Sequence, residues 1–183
     1  MALANTYRRR LRERALDQYG YITTRDAEDL GVPAVELRKL RQRGGIEHIA
    51  HGLYRFDDIP HTHRDQFMEA VLRVGPEAFL TDDAVLALHD LALVNPRRIR
   101  VATPKRARRH FPEFLQVERR DLAPGELTVY EGIPSTTVAQ ALLDCRGRIM
   151  NDRLVDAARE AARTGLLRKS EAKRVFAELG VPT

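Results

Sequence analysis

Glycines at positions 20, 31, 44, 45 and 52 cut the first 60 residues into segments too short for anything but brief helices and a hairpin. Tyr7 to Tyr19 reads as a helix, with Leu11, Ala15, Leu16 and Tyr19 at helical spacing on one face, and Gly20 stops it. Thr23 or Thr24 caps a second, short helix through Leu30, its Asp26 and Glu28 suiting the positive end of the helix dipole. Gly31 ends that helix. Pro33 opens a third, which runs to about Arg43 and closes at Gly44-Gly45. Ile46 to Ala50 and Leu53 to Phe56 read as strands joined at His51-Gly52, where Gly52 is expected to supply a positive φ. Helix, short helix, tight turn, helix and hairpin is the order of a winged helix-turn-helix. Leu11, Leu16, Ile22, Leu30, Leu37, Leu40, Ile46, Ile49 and Tyr54 are its expected core.

The run Asp57-Asp58-Ile59-Pro60-His61 reads as a boundary, giving expected domains at 1–60 and 61–183. Beyond it, His63 to Val74 and Asp82 to Leu91 have helical patterns. Arg98 to Ala102, Leu115 to Arg119 and Leu127 to Tyr130 have strand patterns. Thr137 to Cys145, Asp152 to Arg163 and Ser170 to Leu179 return to helix. Helices, then strands, then helices predict an α+β chain, an N-terminal winged helix-turn-helix followed by a mixed α/β C-terminal domain.

The function classes narrow on composition. No apolar run approaches a membrane span. Met1 to Arg10 has basic residues but no apolar stretch after them, so no secretory leader is expected. The single cysteine, Cys145, excludes an internal disulfide framework and a cysteine-based zinc site. A cytoplasmic protein without cofactor is expected. The cations are 27 arginines against 4 lysines, a skew that GC-rich coding also produces, so their placement carries more than their number.

Placement singles out two regions. On the third helix, Leu37 and Leu40 define an inward face, and Val35, Arg38, Lys39 and Gln42 fall opposite. A recognition helix needs this division: apolar residues grip the scaffold while long donors enter the major groove. Arg38 suits guanine O6/N7 and Gln42 suits adenine N6/N7. Thr24 and Arg25 at the start of the second helix, and His48, His51 and Arg55 on the hairpin, complete the expected DNA-binding set, the wing reaching phosphate or the minor groove. The alternative is an ordinary solvated helix face. Arg8, Arg9, Arg10, Arg12 and Arg14 read as a solvated charge run, with phosphate contact as the alternative. The second region is residues 96–120, which carry a net charge of +7. Arg98 and Arg100 share one strand face, and Lys105, Arg106, Arg108 and Arg109 sit in a proline-bounded loop. They are candidates for a second nucleic-acid contact, against the alternative of a solvated basic loop.

Enzyme readings are weaker. Glu171-Ala172-Lys173 with Asp152 or Asp156 imitates a nuclease set, yet these residues lie in helical patterns instead of on strands that would hold carboxylates around a metal. His61 and His63 beside Asp57 and Asp58 imitate a metal site in what reads as a wet turn. Cys145 follows an amphipathic run and reads as core. There is no phosphate-cradling glycine loop and no nucleophile elbow. No enzyme activity is expected.

Gly20-Tyr21-Ile22-Thr23-Thr24, Leu30-Gly31-Val32, Leu37-Arg38-Lys39-Leu40-Arg41, Gly44-Gly45-Ile46 and His51-Gly52-Leu53-Tyr54-Arg55 together resemble the N-terminal domain of AbiEi-family antitoxins. Phe79-Leu80-Thr81-Asp82-Asp83-Ala84 through Leu88-His89-Asp90-Leu91 is similar to that family's Ser/Ala-Leu-His segment, with Asp83-Ala84 where the family commonly has Ser-Ala. Gly132-Ile133-Pro134-Ser135-Thr136-Thr137 with Ala141-Leu142-Leu143-Asp144 is similar to its Gly-Ile-Pro…Thr…Leu-Asp segment. The resemblance implies a type IV toxin–antitoxin operon. It further implies repression of the protein's own promoter at inverted repeats, with a dimer on DNA, and a nucleotidyltransferase-like toxin counteracted through the C-terminal domain with or without direct contact. The alternatives are a winged-helix protein-interaction module and a nuclease-type C-terminal domain.

Overall fold

The computed structural model describes residues 2–106 and 109–181 and is mixed α+β. It divides into two compact units, Met1–Arg73 and Val74–Thr183.

The first unit runs α1 (Ala2–Leu16), β1 (Tyr21–Thr23), α2 (Thr24–Asp29), α3 (Ala34–Gln42), β2 (Ile46–Ala50), β3 (Leu53–Phe56) and all but the last residue of α4 (Asp65–Val74). Its sheet has the order β1-β3-β2, antiparallel throughout, with Tyr21 opposite Arg55 and His48 opposite Tyr54. The helices close over one core of Leu11, Ala15, Ile22, Ala27, Val32, Leu37, Leu40, Ile46, Phe56 and Ile59, against which Tyr7, Leu30 and Tyr54 pack. Two core expectations need correction. Leu16 is 52% exposed, because α1 ends there and the chain turns away. Ile49 is only half-buried, next to a register shift between His48 and Ala50 that skews the strand.

The division at 73/74 leaves the Asp57–His61 turn inside the first unit. The physical reason lies in α4, whose residues satisfy polar groups of the sheet. Tyr21 donates its hydroxyl to Glu69 Oε2 at 2.8 Å, Arg73 donates to the Ile49 carbonyl at 3.1 Å, and Asp65 accepts from Arg55 at 3.1 Å.

The second unit carries β4 (Phe79–Leu80), α5 (Asp82–Leu88), β5 (Ile99–Thr103), β6 (Leu115–Arg119), a single 3-10 turn (Pro124–Glu126), β7 (Leu127–Tyr130), β8 (Ile133–Thr136), α6 (Val138–Asp144), α7 (Asn151–Arg163) and α8 (Lys169–Glu178). Its sheet has the order β6-β5-β4-β8-β7. Pairing is parallel for β4/β8 and β5/β6 and antiparallel for β4/β5 and β7/β8. Leu80, Val85, Leu86, Leu88, Ile133, Leu142 and Leu154 are fully buried. Because β5 and β6 are parallel, the chain between them must travel back along the whole strand, about 17 Å for five residues. The basic loop is that return path.

Candidate nucleic-acid interface

A reciprocal cap sets the start of α2. Asp26 N–H donates to Thr23 Oγ1 at 3.0 Å, while Thr23 N–H and its hydroxyl donate to Asp26 Oδ2 at 2.8 and 2.5 Å. Gln18 and Arg14 also donate to this carboxylate. Burial alone would raise the Asp26 pKa, but the hydrogen bonds from Thr23, Gln18 and Arg14 outweigh it and hold the group below its ordinary value. The cap therefore stabilises the unit above the ordinary carboxylate range and weakens as pH falls through the lowered pKa. Gly31 takes φ +63 and donates to the Glu28 carbonyl, and Val32 donates to that of Ala27, so the chain reverses in the fewest residues before α3. Pro33 precedes the helix as its N-cap.

The third helix divides as its spacing predicts. Leu37 and Leu40 are buried, while Val35, at 46% exposure, is open along with Arg38, Lys39 and Gln42. Lys39 donates to Glu36 at 2.7 Å, so its charge is locally compensated. Arg41 and Arg43 are also exposed near the C-terminal end of α3 and extend the basic surface beyond the expected residues. The three-residue offset from Arg38 to Arg41, one helical turn, was the signal for the first of them.

The hairpin tip is tied to α2. Thr24 N–H donates to the Gly52 carbonyl at 2.9 Å, which brings Thr24 and the exposed Arg25 next to the wing tip. Gly52 sits at φ +70, a conformation that favours glycine, and a Cβ there would stand 3.0 Å from Thr24 Oγ1, a tight approach. His48 and His51 are exposed, the His48 ring lying 5.3 Å from that of Tyr54.

Arg55 is the correction in this set. It is 4% exposed and donates to the carbonyls of Phe56, Ile59 and Pro60 and to Asp65, with its guanidinium 5.7 Å from the centre of the Tyr21 ring. Tyr54 and Phe56 face the core, so alternation puts Arg55 with Leu53 on the other face of β3, and Asp65 of α4 covers Arg55 there. The basic run on α1 is also partly structural: Arg8 and Arg12 reach Asp58 at 3.4 and 2.9 Å, and Arg14 reaches Asp26.

Residues 9–56 match the family model described as "Transcriptional regulator, AbiEi antitoxin". The match runs from α1 to the last residue of β3, so this AbiEi-like segment includes the helix-turn-helix and the wing. Among solved structures, the chain is similar to the RV2827C protein from Mycobacterium tuberculosis, with 14% identity and a TM-score of 0.46 over 97% of this chain and 72% of that one. No curated protein matches the chain.

The second basic region is partly neutralised. Arg100 faces Asp83 at 3.1 Å, Lys105 faces Glu77 at 2.5 Å, and Arg120 faces Asp144 at 2.6 Å. Arg98, Arg106 and Arg109 are exposed; Arg108 lies outside the described residues. Asp82 is 3% exposed and accepts from Arg148 at 2.8 Å, with Arg120 at 3.8 Å. The centre of this part is therefore an ion-paired cage of Asp82, Asp83 and Asp144 with Arg100, Arg120 and Arg148.

Four residues of the rival readings have structural partners. Glu171 accepts from the Arg168 N–H and closes the first turn of α8, and Asp156 pairs with Arg159 along α7. Asp58 holds Arg8 and Arg12 of α1, and His61 Nδ1 lies 2.9 Å from Asp65. Among the described residues, no group of three His, Cys, Asp or Glu is arranged to hold a metal ion, and no helix is long and apolar enough to cross a membrane. Cys145 is buried at the end of α6; burial, then the charges of Asp82 and Asp83, push its thiol pKa up to about 12. In native protein at pH 8, iodoacetamide should leave Cys145 unmodified, and denaturant should expose it. Rapid native labelling by mass spectrometry would contradict this burial.

Proposed function

We propose that this protein is a DNA-binding regulator of the antitoxin type that represses its own operon at inverted repeats and counteracts a nucleotidyltransferase-like toxin. The carrying observation is α3, where Leu37 and Leu40 hold the helix to the core and leave Val35, Arg38 and Gln42 open beside an exposed wing tip. In this reading α3 enters the major groove, Arg38 and Gln42 meet base edges, and Thr24, Arg25, Lys39, His48 and His51 meet the backbone. The AbiEi-type match of residues 9–56 supports the regulatory role, and the toxin follows from that kinship alone. The second unit is the proposed antitoxin half. It has no catalytic role in this reading.

The test is binding of the full chain to its own promoter against a scrambled duplex. Affinity for the promoter should fall steeply with salt, and Arg38→Ala should cost about 1–3 kcal/mol on the cognate site while relaxing base preference at one position. Equal affinity for promoter and scrambled duplex in the unaltered protein would overturn specific repression. Co-expression with the product of the adjacent reading frame, scored as growth, tests the antitoxin half.

A further inference from the structure

Beside the end of β5 opens a concavity of about 470 Å3, lined among others by Gly75, Glu77, Thr103, Lys105, Arg106 and Arg109. Its volume falls in the range of small-ligand pockets, about 300–1,000 Å3. Three cations, of which Lys105 and Arg109 already have interaction partners, and one carboxylate line it. Gly75 adds no side chain to the rim, and even a Cβ there would meet nothing within 4 Å. The Thr103 side chain, nine-tenths buried, accepts the Lys105 backbone N–H at 3.4 Å and keeps its hydroxyl proton to donate. Glu77 already occupies Lys105 at 2.5 Å, but both partners are solvent-exposed, so the pair can exchange for a better anion. Arg100 and Arg120, in contrast, are held by the half-buried carboxylates of Asp83 and Asp144 and are committed to the fold.

We propose that this concavity binds the phosphate groups of a nucleotide-sized ligand, with Lys105, Arg106 and Arg109 as its cationic wall and Glu77 as its internal competitor. Guanidinium and ammonium groups around a hollow match a compact polyphosphate, which can gather several charge-assisted hydrogen bonds at once. A duplex would lie across the rim instead of entering it. Two sources share the chemistry: a free nucleoside triphosphate and the 5′-phosphorylated end of a single strand.

The experiment measures binding of the full chain at low salt to inorganic triphosphate, to ATP, and to one short single strand carrying either a 5′-phosphate or a 5′-hydroxyl. Arg106→Gln should weaken phosphate binding about tenfold, as expected for losing one hydrogen bond to a charged group. Glu77→Gln should tighten it several-fold by releasing Lys105. Opposite shifts from two exposed substitutions cannot come from a general loss of fold. Binding of triphosphate and ATP assigns the free-nucleotide source; binding of the 5′-phosphate strand alone assigns the strand end. Failure of every phosphate probe at millimolar concentration, indifference to Arg106→Gln, or equal binding of the two strands without triphosphate binding would each overturn the proposal. Promoter binding measured in parallel reports on the α3 surface separately.

Discussion

Arg55→Ala should lower the unfolding free energy by about 3–5 kcal/mol, the range for breaking a buried ion pair from one side. The substitution strips four hydrogen bonds from the junction of β3 with α4 and leaves Asp65, 5% exposed, facing Thr62 and His61 without its guanidinium partner. Against a total stability of about 5–15 kcal/mol, that is enough to populate unfolded protein at moderate temperature. Urea titration of the full chain checks the size. At temperatures where the variant remains folded, its base preference on the promoter should be unchanged, because the side chain does not reach the surface. Unaltered stability together with a selective loss of DNA affinity would place Arg55 on the wing's outer face after all.

The second large effect is expected at Asp82. Asp82→Ala removes the carboxylate that faces Arg148 and Arg120, and the 44% and 23% exposure of those two side chains lets water take up part of the loss. About 2–3 kcal/mol is expected, below the full value for a wholly buried pair. Asp82 also sits at φ +55, a left-handed conformation that asparagine tolerates better than alanine. Asp82→Asn should therefore be the milder change in thermal unfolding. A reversed order would show that the backbone conformation is not a significant part of the cost.

The first unit was readable because its breaks are local. Each helix carries its own stop at Gly20, Gly31 or Gly44, and the inward and outward residues of α3 follow from spacing alone. The unread parts depend on partners distant in sequence. Tyr21–Thr23 reads as an approach to a helix cap and becomes β1 only because β3 pairs with it. In the second unit, the two-residue β4 is too short to show a period, and Pro134 argues against the strand that Ile133–Thr136 in fact forms beside β7 and β4. The charge of residues 96–120 was visible, but its neutralisation was not, because Asp83, Glu77 and Asp144 arrive from other elements. Arg55 belongs with these: with Tyr54 and Phe56 on the core, alternation turns it to the other face of β3, and it is buried there because α4 brings Asp65 to it.

Under the proposed DNA-binding reading, the bond from Thr24 to Gly52 bears on how fast this head would engage a duplex. A free wing would sample many orientations and would have to be ordered at each encounter, slowing productive capture and spending interaction energy on immobilisation. Here the fingertip of the hairpin is bonded to the first turn of α2, so in the proposed DNA-binding reading wing and helix would meet the backbone as one preset jaw. Encounters would then be limited by orientation of the whole head, and differences between operators would appear in how long the complex lasts rather than in how quickly it forms.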